Sequence, residues 1–302
     1  MVKGIKSMGI INFINNFRYL FRYNLKRMYE STENIHYAID YITFEIEENI
    51  KQIPNIIIKN NEETLEKLLN SNCSLTRFGD GEMCLTFGMS IPSQKASEKL
   101  SQRLQEVLKN ADSENLMIGL SPIKNSTYGA SQKMKKYTRE LMGKLTPQFC
   151  NLLKEDTEYY SSWVSVPYIT CKKHNSIEYF KNYFNKIRNL WEQKDIVIVC
   201  GKRVFDYFEH NIFDNAKNIE YIYAPTNNAF DDYDNILEKV YKLDKNKLII
   251  LILGATATVM AYDLCNNGYR ALDLGHLSKD YNAFLKQVET SDNNILNFFS
   301  AE

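Results

Sequence analysis

Lys247-Leu248-Ile249-Ile250-Leu251-Ile252-Leu253 runs directly into Gly254-Ala255-Thr256-Ala257-Thr258, and the reading of this stretch decides the fold. Leu248 to Leu253 shows no polar alternation, so a strand here needs cover on both faces, as in a parallel sheet between helices. Gly254 ends the strand, and Thr256–Asn267 then carries helical spacing. Working outward, Arg270–Leu274 reads as a short strand, and Asp195–Cys200 and Ile219–Tyr223 read as apolar strands separated by helical segments. Further upstream, Cys73–Arg77 and Leu116–Leu120 are strand-like and Tyr159–Val166 is rich in β-favouring residues. Glu62–Leu69, Ser131–Leu145 and Ile177–Gln193 look helical. Strands alternating with helices predict an α/β fold, a Rossmann-like and mostly parallel sheet with helices on both faces.

At 302 residues, with 44% hydrophobic and 25% charged residues, the chain is long enough for a sizeable core. Lys plus Arg equals Asp plus Glu, 37 of each, which argues against a nucleic-acid partner because that function leaves a basic footprint. The cysteines at 73, 84, 150, 171, 200 and 265 form no CxxC pair and read as reduced thiols. The histidines at 36, 174, 210 and 276 show no zinc spacing. No apolar run approaches the roughly 18 to 20 residues of a spanning helix, and polar residues break up any signal-peptide core, so a cytoplasmic location is expected.

The N-terminal part reads as a helical extension over residues 1–60, with the main domain over 61–302. Residues 1–28 carry Lys3, Lys6, Arg18, Arg22, Lys26 and Arg27 and no acid, and apolar residues from Ile10 to Leu25 recur at helical spacing. A basic amphipathic helix of this kind can lie on the anionic inner face of a membrane. It can equally pack on its own domain or on a second subunit of a homo-oligomer. A further helical stretch is expected near Glu30–Ile50, before Pro54.

In open parallel sheets ligands bind beyond the carboxyl ends of the strands. After Cys73–Arg77 come Phe78-Gly79-Asp80-Gly81-Glu82; after Asp195–Cys200 come Gly201-Lys202-Arg203; after Ile219–Tyr223 come Pro225 to Phe230, including Asn227 and Asn228. Gly254 to Thr258 and then Gly275-His276 complete the rim. Asp80 and Glu82 are hard oxygen donors that suit Mg²⁺ or Mn²⁺, and Arg77 can form a bidentate pair with a phosphate. A polar Gly-Asp-Gly turn would carry the same residues without chemistry. The helix start at Gly254 offers free N–H groups to a phosphate, with Thr256 or Thr258 adding a hydroxyl; an ordinary N-cap is the plain alternative. Lys202 and Arg203 are candidate phosphate contacts, Asn228 a candidate base or sugar contact, and His276 a candidate base or donor. GxGxxG and GxxxxGK[ST] are both absent, which counts against a standard dinucleotide fold or a P-loop.

Arg77 to Glu82, Pro167-Tyr168, Asn228-Ala229-Phe230 with Tyr233, Gly254 to Leu264, Gly268-Tyr269 and Ala271 to His276 together resemble the GT-D-fold bacterial glycosyltransferases, across roughly Glu62 to Phe284. The resemblance implies a sheet of that family's own topology, a nucleotide-sugar donor such as UDP-glucose, and a divalent metal (Mn²⁺ or Mg²⁺) tied to the Asp-x-Glu motif, here Asp80 and Glu82. It implies transfer to a glycan, glycoprotein or lipid-linked acceptor in surface-glycan or adhesin synthesis. Carried over by position, Arg77, Asp80, Glu82, Thr256, Thr258 and His276 are the site residues. Gly79, Lys202, Arg203, Asn228 and Gly254 are expected to line the donor site beside them. The chain departs from the pattern at Val166, where an arginine is expected, at Cys200, where an acid is usual, and at Leu277-Ser278-Lys279-Asp280, which is less acidic than the family. A general base, if the reaction inverts, is to be found among His276, Asp231 and Asp232. The readings set against this one are another nucleotide-dependent enzyme, an oxidoreductase or methyltransferase, and a non-catalytic assembly subunit of a glycan pathway.

Overall fold

The computed structural model describes residues 2–45, 54–111, 113–121, 145, 148–171, 175–202, 204, 209–289 and 298. Helix α1 spans Val2–Glu45 as one continuous element where two helical stretches were expected. The sheet then takes β1 (Ile57–Ile58), β2 (Ser74–Phe78), β3 (Leu116–Leu120), β4 (Glu158–Ser161), β5 (Asp195–Gly201), β6 (Asn218–Ala224), β7 (Leu248–Ile252) and β8 (Ala271–Asp273). Between them lie α2 (Asn61–Leu69), α3 (Asp80–Thr86), α4 (Glu98–Lys109), α5 (Pro167–Cys171), α6 (Ile177–Arg188), α7 (Tyr233–Tyr241), α8 (Ala255–Asn266) and, last, α9 (Leu277–Leu285). The helix expected over Ser131–Leu145 falls almost entirely outside the described residues.

The strands form an 8-stranded sheet in the order β1-β4-β3-β2-β8-β7-β5-β6. Every pairing between them is parallel. The apolar run at 248–252 behaves as its composition demands. Ile249 and Leu251 pack into the hydrophobic cluster on one face, and Leu248 and Ile250 into the cluster on the other. Residues from α3, α4, α7 and α8 fill the first cluster; residues from α2, α5, α6 and α9 fill the second. β6 has β5 as its one neighbour in the strand order and is largely exposed, with its Glu220 paired to Lys247.

Local signals explain several of the boundaries. Asn60 caps α2: its Oδ1 accepts from Glu63 N–H at 3.0 Å, and Glu63 Oε2 accepts from Asn60 N–H at 2.9 Å, a reciprocal box that satisfies two free donors. Ser97 and Ser176 cap α4 and α6 in the same sense, each accepting from the backbone N–H three residues on. The β-rich stretch expected over 159–166 is a strand only to Ser161, because the chain then coils into a 3-10 turn at Ser162–Ser165. There Ser161 Oγ accepts from Trp163 N–H at 3.1 Å. None of the described helices is long and apolar enough to cross a membrane.

At the neighbouring strands β2 and β8 the chain leaves toward opposite faces. β2 feeds α3, whose Met83 and Leu85 pack into the first cluster, while its neighbour β8 feeds α9, whose Leu277 and Phe284 pack into the second. Open α/β sheets bind ligands in the crevice beyond the carboxyl ends of strands that diverge in this way.

α9 is tied to α5 by a buried acid. Asp280 accepts from Tyr168 N–H at 2.8 Å and from Ile169 N–H at 2.9 Å, so it caps the start of the helix that follows Val166. Burial pushes its carboxyl up to about 7 against the pull of those two donors. A carboxyl that holds its proton more tightly in the folded than in the unfolded chain adds stability below the unfolded value and loses it as pH rises through about 7. Denaturant titrations at pH 5 and pH 7.5 are therefore expected to show a smaller pH dependence for Asp280→Asn than for the unaltered chain.

Candidate active site

Arg77 is the last residue but one of β2, and its side chain lies on the rim between β2, β8 and the turn after β4. Its Nε donates to the Asp273 carbonyl at 2.8 Å and its Nη2 to Asp273 Oδ1 at 2.9 Å. Nη1 donates to the Ser162 carbonyl at 3.1 Å and to Ser165 Oγ at 2.7 Å. The guanidinium fork is thus occupied by protein oxygens, and the bidentate phosphate contact expected for Arg77 is not free. Arg77 instead braces three strand ends from behind the crevice. Asp273 is almost wholly buried; burial raises its pKa and Arg77 opposes that rise. Gly275, at φ +39°, lets the guanidinium pass: a Cβ built there would stand 2.0 Å from Nη2.

The Asp80-Gly81-Glu82 motif opens helix α3 and is no open turn. Gly79 donates its N–H to Glu82 Oε2 at 2.8 Å, which holds the carboxylate over the helix start, and a Cβ at 79 would meet that oxygen at 3.0 Å. Asp80 is exposed and Glu82 half-buried. Glu82 is pushed up to about 7, chiefly by burial, then by the charges of Asp273 and Asp80. Two hard carboxylates side by side, one of them raised by burial and by its acidic neighbours, fit a divalent cation that takes its remaining ligands from phosphate and water. Among the described residues no group of three or more His, Cys, Asp or Glu stands in metal-holding geometry, so a third carboxylate or imidazole does not complete the set.

Helix α8 begins beside this motif. Thr258 Oγ1 donates to the Arg77 carbonyl at 2.9 Å, fastening the first turn of α8 to the strand end that leads into Asp80. That bond gives Thr258 a structural duty in place of the expected phosphate contact. Gly254 is the N-cap at φ +54° and ψ −142°, a conformation that a side chain would strain, and no atom lies within 4 Å of a Cβ built on it. It supplies no side-chain cap, so the leading N–H groups of α8 lack that partner. Thr256, two residues on, is wholly buried, and its hydroxyl has no hydrogen-bond partner.

His276 is the N-cap of α9 at the end of β8. It is exposed, with the Phe298 ring beside it at a centroid distance of 5.9 Å and with Lys279 and Arg77 acting on its charge. Lost hydration first, and then the two cations, lower its pKa to about 4, so the imidazole is neutral at pH 7.

Asn228 is drawn away from a ligand role by its own contacts. In the left-handed region at φ +52°, it donates its N–H to the Ser93 carbonyl at 2.9 Å, and its Oδ1 accepts from Lys95 N–H at 2.8 Å. It pins the loop after α3 to the turn after β6. Lys202 is exposed at the end of β5, and Arg203 lies outside the described residues. Of the alternative bases, Asp231 is exposed, and Asp232 accepts from Asn235 Nδ2 at 2.6 Å. Asp273 and Ser165 escaped the reading of the sequence as site-shaping residues. An acid closing an otherwise apolar strand was the available signal for Asp273; nothing local marks Ser165.

Known proteins with this arrangement agree on its kind. The family described as "Glycosyltransferase GT-D fold" matches residues 75–295. A structure named "A New Glycosyltransferase (DUF1792) from Streptococcus sanguinis" aligns at TM-score 0.71 and 32% identity, covering 78% of this chain and 87% of that one. Another, "The highly conserved domain of unknown function 1792 has a distinct glycosyltransferase fold", aligns at TM-score 0.71 and 31% identity, covering 83% and 93%. The "Probable glycosyl transferase Gly" of Streptococcus gordonii is 34% identical over 223 residues, 74% of this chain but 32% of that protein. "Glycosyltransferase GlyD" of Streptococcus pneumoniae is 31% identical over 231 residues, 76% of this chain and 28% of that protein. The chain therefore spans about a third of the length of the curated relatives it matches.

The buried pair yields a direct test. Asp273→Ala leaves the Arg77 guanidinium buried without its carboxylate, and denaturant unfolding is expected to show a loss of about 3–5 kcal/mol. Gly275→Ala is expected to destabilise as well, because it demands both a positive φ and the space of Nη2. With matches across most of its length in sequence, and with the same fold in space, the chain belongs to the glycosyltransferase GT-D fold family.

Proposed function

We propose that the chain transfers a sugar from a nucleoside diphosphate donor, a UDP-sugar in the first instance, to an acceptor hydroxyl. The observation that carries this reading is the start of α8. An uncapped helix N-terminus with a wholly buried, unpartnered Thr256 hydroxyl stands next to the strand end that presents Asp80 and Glu82. The helix start offers N–H groups and about half a positive charge to a phosphate, and the hydroxyl gains a partner it lacks in the free chain.

Asp80 and Glu82 would hold the divalent ion, Mn²⁺ or Mg²⁺; the chemistry it supplies is Lewis acidity toward the departing diphosphate. In transfer, a bond forms between the acceptor oxygen and the anomeric carbon while the bond from that carbon to the diphosphate oxygen breaks. His276, neutral at pH 7 and placed at the end of β8, is one group that can take the acceptor proton, as a weak base at its lowered pKa, beside Asp231 and Asp232. Arg77 and Asp273 act from behind by holding the ends of β2 and β8 in register. The resemblance favours a glycan, glycoprotein or lipid-linked acceptor, and a nucleotide-sugar donor places the work in the cytoplasm.

The reading is tested with purified full-length chain, a panel of UDP-sugars and Mn²⁺, following release of nucleoside diphosphate. Asp80→Asn is expected to cut that release by on the order of 100-fold, the scale of removing one charged ligand. Thr256→Val removes an unpartnered buried hydroxyl at nearly constant volume. It is expected to leave the unfolding midpoint unchanged or raised, while weakening donor affinity by roughly tenfold, the worth of one hydrogen bond to a charged group. Stabilisation by NAD or S-adenosylmethionine, with none by UDP-sugars plus Mn²⁺, would overturn the proposal.

A further inference from the structure

Helix α1 takes no part in the chemistry above and lies before the family match, which begins at residue 75. Its 44 residues make a rod about 66 Å long at 1.5 Å per residue. The described side chains between 15 and 36 are exposed, apart from a half-buried Glu33. Large apolar groups are among them: Phe17 at 62%, Phe21 at 56%, Met28 at 66% and Ile35 at 61% exposure. Ile14, Phe21, Met28, Ile35 and Ile42 recur at every seventh position, and Ile10, Phe17, Asn24, Ser31 and Ala38 interleave with them at alternating steps of three and four. A mean spacing of 3.5 residues is the seam of a two-helix supercoil.

Charge along α1 is segregated. Lys3, Lys6, Arg18, Arg22, Lys26 and Arg27 all precede Glu30, Glu33, Asp40 and Glu45, with no acid before 30 and no Lys or Arg after 27. We propose that α1 is the dimerisation element of this protein, pairing antiparallel with α1 of a second copy. A parallel pair would lay basic half on basic half, whereas the antiparallel pair lays each basic half along an acidic one. Turning the second helix about position 26 also brings Phe21 level with Ser31, Ile14 with Ala38, and Phe17 with Ile35, so that two of the bulky positions meet small ones. An anionic lipid surface would attract the first half of the helix and repel the second. The proposal is independent of the sugar-transfer reading.

The test is sedimentation equilibrium on the full chain at micromolar concentration. A dimer is expected, and Phe21→Glu with Met28→Glu is expected to make it a monomer. Replacing Arg18, Arg22 and Lys26 by Glu should weaken self-association, most strongly at low salt, since an acidic half then lies along an acidic half. Adding Glu30→Lys, Glu33→Lys and Asp40→Lys to that variant should restore it, because the antiparallel match is re-formed with the signs exchanged. A dimer insensitive to both sets of charge changes would exclude the antiparallel arrangement. A dimer that survives Phe21→Glu with Met28→Glu would place the interface elsewhere. A monomer that co-sediments with phosphatidylcholine–phosphatidylglycerol vesicles would make α1 a membrane-surface helix. Each of these three results overturns the proposal.

Discussion

A guanidinium sunk into the edge of a parallel sheet must be answered by a carboxylate and by carbonyls, and the contact between Arg77 and Asp273 meets that demand. It joins β2 to β8, the two neighbouring strands from which the chain departs to opposite faces, and through Nη1 it reaches the turn after β4 as well. Those strand ends consequently hold one geometry, and what rests on them inherits it. Asp80 and Glu82 open a helix one residue beyond β2, His276 stands three residues beyond β8, and Thr258 binds the Arg77 carbonyl itself. The candidate site is thus assembled on a largely buried polar knot between two strands whose chains depart to opposite faces.

The same knot shapes the electrostatics. Asp273 is the largest charge acting on Glu82, and Arg77 is one of the two cations that keep His276 neutral. One ion pair therefore biases two groups in opposite directions: a carboxylate toward holding a cation or proton, an imidazole toward staying uncharged.

Much of this was legible in the chain. The unbroken apolar run at 248–252 announced a strand buried on both sides, and Gly79, Pro225, Gly254 and Gly275 do lie just beyond strand ends. The roles within the rim were harder to read, because a hydrogen-bond partner distant in sequence leaves no local trace. Arg77 looked like a phosphate ligand until its fork was found on Asp273 and Ser165. Asn228 looked like a sugar contact until Lys95 N–H was found on its Oδ1 and its own N–H on the Ser93 carbonyl, and Thr258 looked like a second phosphate hydroxyl until it met a carbonyl. The short helix α3 was read as a turn because two glycines at 79 and 81 mask a helix start whose cap is Glu82 itself. α1 was divided in two because its change of charge sign near residue 28 resembles a boundary, although the backbone runs through it unbroken.

Gly254 sets the phase of everything after it. At φ +54° and ψ −142° the backbone takes a path that chains with a side chain rarely follow, and the first turn of α8 starts from there. Moving that start by one residue would rotate the helix by about 100°, swinging Thr258 off the strand and Thr256 out of its buried position. A single missing methyl group thus acts as the index mark from which both hydroxyls are aimed.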